Sequence, residues 1–350
     1  MKRSSIIGYS IYPSTWIEKR KQLSSLFQEG SAVFTSLHIS EEMNEGYVTK
    51  VEAMVEFLKS TGYEIIADVS RRSLEVFGED SLASLARRLR IDVLRIDYGF
   101  SEEEMLEAAR EVAICLNAST LTEDTAKRLK DTGHEFFAMH NYYPRPETGL
   151  DADQFQAKNE MLRSYGIDVM AFIMGDDSLR GPLHEGLPTL EEHRGVSPYV
   201  AFVDMQNTYK IRHIFMGDGL VTEPVARLIQ RVITQGVYPI PAELQDMNEN
   251  LYDQVFTVRT DSPKSLMRLQ ESREYATQGE IITPRNTVER QKGSITMDNA
   301  DYKRYSGEIQ ILRTDFGADS RVNVIGHVLH PYLGLLSLIP NDSKIVLVRA

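Results

Sequence analysis

Up to about residue 235 the chain repeats one pattern: a short apolar run rich in Ile, Val and Phe, then a longer segment of helical hydrophobic period. The strand candidates span residues 5–9, 32–39, 64–69, 92–97, 112–117, 135–140, 168–174 and 213–217. Amphipathic stretches such as VTKVEAMVEFLKSTG and TEPVARLIQRVITQG separate them, several closed by a Gly where a helix C-terminus favours a left-handed residue. Strands that alternate with helices pair in parallel, and eight such units within about 250 residues predict an α/β fold, the (β/α)8 TIM barrel. A doubly wound open sheet is the alternative the same alternation allows.

Beyond Pro239 and Pro241 the texture changes to short β-branched runs, QVFTVRT, GEIITPRNTV, GSITM, GEIQILRT, RVNVIGHVL and KIVLVRA, punctuated by Gly, Pro, Asn and Asp. This predicts a small antiparallel β domain over 246–350 after a barrel domain over 1–245, with the boundary in PIPAELQDMNEN. A formal charge of −12 over 350 residues argues against nucleic acid or a membrane surface as partner, because polyanions are repelled. No window approaches a membrane span, and the apolar stretch in MKRSSIIGYSIYPSTW is too short for a signal peptide. Cys115 is the only cysteine, which excludes disulfides within the chain and suits a reducing compartment. A cytoplasmic enzyme of small metabolites is the expectation.

A TIM barrel places its active site at the C-terminal ends of the strands, and side chains two apart share a strand face. Each run should therefore turn polar at that end, and seven of the eight do. The second ends in Ser36, His38 and Ser40, followed by Glu41 and Glu42; the third in Asp68 and Ser70; the fourth in Arg95 and Asp97. The fifth offers Asn117 and Ser119, the sixth His140 and Asn141, the seventh Asp176, and the eighth Asp218. Structural roles compete with functional ones at these positions. Ser119, Thr120 and Asp177 suit helix caps or turns, Arg95 and Asp97 a buried ion pair, and His38 and His140 hydrogen-bonded packing.

No Lys stands at a strand C-terminus, which disfavours a Schiff-base aldolase. His38 and His140 are lone, while His184 and His193 lie in the long segment after the seventh strand, so no metal and no cofactor is expected. Neither a nucleophile elbow nor a Walker loop occurs. The remaining inventory of carboxylates, amides, tyrosines and arginines suits a sugar with an anionic substituent. In HNYYPRPETGL, two prolines stiffen the loop around Arg145, and one ring of Tyr142 and Tyr143 faces the sugar while the other packs beneath the loop.

The stretches FTSLHISEE, LRIDYGF, LNAST, HNYYPRPETGL, GPLHEGLPTLEEHR and GSITMDNADYKRYSGEIQI resemble the 6-phospho-N-acetylmuramidases, the MupG family of bacterial glycosidases, over nearly the whole chain. The resemblance implies a TIM barrel followed by a cyclophilin-like β domain. It also implies an intracellular hydrolase that cleaves the β-1,4 bond of 6-phospho-N-acetylmuramyl-N-acetylglucosamine in cell-wall recycling. Such a substrate carries a phosphate and a lactyl carboxylate, for which Arg95, Arg145 and Arg180 are candidates in the barrel and Arg285, Arg290 and Arg304 in the small domain. The small domain either adds to the site in this way or forms a homo-oligomer interface. For the two carboxyl groups of glycoside hydrolysis the expectation is Asp97 with Asp218, then Asp68 and Glu41, while Ser36, His38, Asn117, His140, Asn141 and Tyr143 meet the substrate. A phosphosugar isomerase or epimerase on the same barrel, and a non-catalytic sugar-binding protein, are the competing functions.

Overall fold

The computed structural model describes residues 6–349 except 40, 41, 44 and 274–280, and leaves the side chains of Ile6 and Asp97 undescribed. Two compact units divide at Glu223 and Pro224. In the first, strands β1 (Ile6–Ser10), β2 (Ala32–Ser36), β3 (Glu64–Ser70), β4 (Val93–Tyr98), β5 (Ala113–Asn117), β6 (Phe136–Met139), β7 (Asp168–Ile173) and β8 (His213–Met216) form a closed parallel barrel in chain order. The helices are α1 (Trp16–Leu26), α2 (Tyr47–Thr61), α3 (Arg71–Phe77), α4 (Leu82–Arg88), α5 (Glu102–Ala108), α6 (Glu123–Asp131), α7 (Ala152–Ser164) and α8 (Pro198–Asn207), with α9 (Glu223–Gln235) at the junction. The TIM barrel is thus the fold adopted, and the open sheet is not.

Local chemistry accounts for these elements. In α2 the buried Val51, Met54, Val55 and Leu58 recur at helical spacing, and Gly62 ends the helix at φ 108° with its N–H bonded to the Leu58 carbonyl. Ser101 and Glu104 form a capping box that starts α5. Inside the barrel, Phe34, Ile66, Val93, Cys115, Phe137, Met139, Met170, Phe172 and Phe215 form one cluster. Every second residue therefore faces the lumen, and the residues that continue this parity past the cluster reach the C-terminal lip.

The second unit is a curled seven-stranded sheet built from β9 (Val237–Leu244), β10 (Val255–Thr257), β11 (Leu266–Arg268), β12 (Ser294–Asp298), β13 (Ile309–Leu312), β14 (Val322–Val328) and β15 (Lys344–Val348). The order is β10-β15-β9-β14-β12-β13-β11, antiparallel except where β9 meets β15, and a bridge between Val258 and Leu269 draws the two edge strands together. The sheet begins earlier than the sequence suggests. Pro239 and Pro241 read as a linker because proline removes a ladder donor. Yet β9 pairs with β15 through both prolines, and its pairing with β14 starts only at Ala242. Conversely, the described part of GEIITPRNTV is not a strand. Side-chain amides hold it against β14 instead: Asn323 donates to the Thr283 carbonyl and Asn286 to that of Val324. Among the described residues no helix is long and apolar enough to cross a membrane.

Gly8 lies on the lumen face of β1 opposite Phe215, and a Cβ there would come within 2.1 Å of the Phe215 ring edge. The Gly8→Ala protein should lose about 1–3 kcal/mol through overpacking, seen as a lower urea midpoint at unchanged m-value.

Candidate active site

Adjacent register sets the centre of the lip. Asp68 on β3 stands beside Arg95 on β4, both inside the barrel, and Arg95 Nη1 donates to Asp68 Oδ1 at 2.8 Å. Both residues are buried, at 7% and 4% exposure. Two charges at that depth persist only with each other and with further hydrogen bonds. Arg95 Nη2 supplies one, to Asn141 Oδ1 at 2.5 Å, across the barrel from just past β6. His38 Nδ1 lies 3.9 Å from the other Asp68 oxygen and 3.4 Å from Ser36 Oγ, and its ring meets Tyr98 edge-on. A carboxylate partner of Arg95 thus stands on the neighbouring strand. The side chain of Asp97, like Glu41, lies outside the described residues.

A second group adjoins the first. Tyr12, just past β1, is buried, and burial holds its phenol well above the usual range, with the Tyr142 and Asp68 charges adding to the effect. Its hydroxyl is 3.4 Å from that of Tyr142, whose ring packs edge-on against Phe172 in the barrel core. Arg180 lays its guanidinium 3.5 Å from the Tyr12 ring centre and donates to Tyr142 Oη at 3.2 Å. Among the described residues no carboxylate pairs with this guanidinium within salt-bridge distance. A half-buried cation seated on an aromatic face and aimed by a phenol is a ready receptor for an anion.

The loops that carry these groups are tied from below. Asp218 is buried, and its oxygens accept from the backbone N–H groups of Gly175, Arg180 and Leu187 at 3.0–3.3 Å. Burial pushes its carboxyl up, while those donors and the Arg180 charge pull it back. Its geometry positions the Gly175–Leu187 segment. Glu191 accepts from the backbone of Glu147 and Gly149 and is held at about 2 by Arg194, whose guanidinium also reaches the carbonyls of Tyr143, Glu185 and Gly186. The loops after β6 and β7 are thereby one hydrogen-bonded body.

The remaining sequence candidates separate. Asn117 accepts from the Ser119 N–H in a turn. His140 is buried, bonded through Nε2 to Asn159 Oδ1 at 2.7 Å and packed on Phe155, which is the structural role its sequence context also allowed. The Tyr143 backbone is bonded to Pro188 and Arg194, and Arg145 is exposed at the loop tip. Of the pair in HNYYPRP it is Tyr142 that joins the lip cluster. Arg285, in the second unit, lines a cavity of about 280 Å³ with Gln245, Asn248, Asn250 and Asn323, and no carboxylate is among its described lining. Glu192, His193 and Asp204 converge closely enough to hold a cation, but His193 bonds Asp204 and Tyr209 bonds Glu192, which accounts for the cluster. The sequence pattern did not single out Tyr12, although Ser10 at the end of β1 and Tyr12 just past it repeat the two-apart polar spacing found on other strands.

A closed parallel barrel with an ion pair, amide, phenols and arginine at its C-terminal lip is a TIM barrel with polar groups at the end where enzymes of this fold carry out their chemistry. Family models place it further: the N-terminal domain of 6-phospho-N-acetylmuramidase matches residues 7–231 and the C-terminal domain matches 240–348. The chain belongs to the 6-phospho-N-acetylmuramidase family. It is similar to a conserved Enterococcus faecalis protein of unknown function whose crystal structure superposes at TM-score 0.84, with 30% identity over 99% of this chain and 96% of that one. An uncharacterized B. cereus protein shares the fold at TM-score 0.79 and 22% identity, over 99% of each chain. No curated protein matches the chain.

Two outcomes follow for stability. Arg95→Met leaves Asp68 buried without its partner and should cost about 3–5 kcal/mol, whereas Asp68→Leu combined with Arg95→Met should recover most of it in urea titrations. His140 is pushed down to about 4 by burial from an ordinary 6.5. Its unfolded form therefore takes up a proton first, so its contribution is full above about 6.5 and drains as pH falls towards 4. Stability measured across that window should fall less steeply in His140→Gln than in the parent.

Proposed function

We propose that the protein is a cytoplasmic glycoside hydrolase that cleaves the β-1,4 bond of 6-phospho-N-acetylmuramyl-N-acetylglucosamine during peptidoglycan recycling. The observation that carries this reading is Arg180, a cation without a carboxylate partner among the described residues, set over Tyr12 at the lip of a barrel whose family acts on a phosphorylated muramyl sugar. In an acidic chain, such a guanidinium is where an anionic substituent would be met, with Arg145 on the adjoining loop as a second contact. Asp68, steered by Arg95 and His38, is the carboxylate we assign to the reacting bond, with Asp97 on the next strand as its partner carboxyl. Asp218 serves by positioning the segment that bears Arg180. Ser36, His38, Asn141 and Tyr142 supply hydroxyl and amide contacts around them. For Arg285, a cavity whose described lining includes four amides and no carboxylate supports an anion as ligand class.

Incubation with the phosphorylated disaccharide should release free N-acetylglucosamine, a product that an isomerase or epimerase does not form. Asp68→Asn should lower kcat about 10²–10⁴-fold, the range of a lost acid, base or nucleophilic carboxyl. Arg180→Ala should lower kcat/KM for the phosphorylated disaccharide about 10–100-fold, as expected for a lost charged hydrogen bond. Intact disaccharide after prolonged incubation with the parent protein would refute the assignment.

A further inference from the structure

The motif GSITMDNADYKRYSGEIQI in the second unit builds a cavity that the barrel reaction does not use. Along β12 and β13, Ile295, Ile309 and Ile311 supply core, and the intervening positions carry Thr296, Asp298, Glu308 and Gln310. All four polar side chains are at least nine-tenths buried. Burying four polar groups on one sheet face is unfavourable unless they are joined, and these are. Thr296 Oγ1 donates to Gln310 Oε1 at 2.9 Å, and Gln310 Nε2 donates to Asp298 Oδ2 at 3.3 Å. The chain of bonds fixes which way the Gln310 amide points. Glu308 is balanced by Arg268 at 3.0 Å and Arg273 at 3.7 Å.

Above this ladder lies a cavity of about 260 Å³, walled by Tyr302, Tyr305, Phe316 and Arg290. The tyrosine rings stand 6.5 Å apart at 89°, presenting one face and one edge. Between them Lys303 sits at φ 55° and ψ −116°, a conformation costly for a side-chain-bearing residue. The strain lets two residues so close in sequence both line the cavity. Arg290 is bonded to the Gly317 carbonyl and lies over Phe316, so its charge forms the wall. Burial pushes the Asp298 carboxyl up to about 7, which leaves it a proton to donate near neutrality.

Two carboxyls facing two guanidiniums, with aromatic walls and an oriented amide, match neither an anion nor a cation. They match a ring with an apolar face and a rim of hydroxyls. We propose that this cavity is a second, non-catalytic binding site for one uncharged pyranose ring, held by Asp298 and Gln310 at its hydroxyls and by Tyr302 and Tyr305 at its face. It does not depend on what the barrel catalyses.

The test is saturation-transfer NMR and calorimetric titration of the full chain with N-acetylglucosamine, with N-acetylglucosamine 6-phosphate for comparison. Binding of the neutral sugar should weaken at least tenfold in Tyr302→Ala and in Thr296→Val, which frees the Gln310 amide, with unchanged circular dichroism and a cooperative melt. It should persist in Arg180→Ala, which alters only the barrel lip. No transfer at tens of millimolar sugar, binding that survives both cavity changes, loss in Arg180→Ala, or tighter binding of the phosphorylated sugar would each overturn the assignment. If either cavity variant melts without cooperativity, Tyr302→Phe replaces it, and retained sugar binding there with loss in Gln310→Leu is the supporting result.

Discussion

The Asp68–Arg95 pair organises the lip of the barrel. Because β3 and β4 are in register at these two residues, the charges stand side by side inside a lumen lined mostly by apolar side chains, Phe and Met above all. Neither can be there alone. The guanidinium has donors left over, and the carboxylate has a second oxygen, so the pair recruits Asn141 and His38 from just past the ends of β6 and β2. Buried pairs of this kind rarely add net stability over a hydrophobic pair of the same volume. What this one supplies is orientation, since every donor and acceptor at the lip is aimed relative to a fixed charge.

Orientation of the lip also needs loops that do not wander. Long connections are ordinarily the softest parts of a barrel, and the segments after β6 and β7 are long. Here Glu191, Arg194 and Asp218 convert them into a hydrogen-bonded platform by satisfying backbone N–H and carbonyl groups that no strand or helix would satisfy. Arg180 is the side chain that this platform fixes most closely. Its backbone is pinned by Asp218 and its guanidinium by Tyr12 and Tyr142, so little entropy would be left to lose on binding the anion we propose for it. A chain of net charge −12 can hold an anion only where the local field is of the opposite sign, and a cation with no carboxylate partner among the described residues provides that.

The second unit meets a similar problem differently. Its sheet buries a polar ladder on one face and an apolar core on the other, which alternation along β12 and β13 makes unavoidable once the sheet curls. The polar face is tolerated because the ladder bonds to itself and to arginines, and because the tyrosines of the Tyr302–Tyr305 turn and Phe316 wall it. Where the barrel lip leaves a half-buried positive charge without a carboxylate partner among the described residues, this cavity balances its charges.

Much of this was written in the sequence alone. Alternating apolar runs and helical stretches determined the eight parallel strands, because periods of two and of 3.6 residues are local properties of the backbone. The polar-after-apolar ends marked the end of the barrel where polar side chains gather, and parity along each strand placed Ser36, Asp68 and Arg95 on the lumen face. Local pattern was silent on partners. That Arg95 pairs with Asp68, that His140 sinks against Asn159 and Phe155, and that Asp218 bonds three backbone N–H groups depend on register and on loop paths. β9 passed for a linker because proline is read locally, while its place between β14 and β15 is decided by distant strands. Tertiary structure alone brought Tyr12, Tyr142 and Arg180 together, since Tyr12, more than a hundred positions from the other two, becomes their neighbour only when the barrel closes.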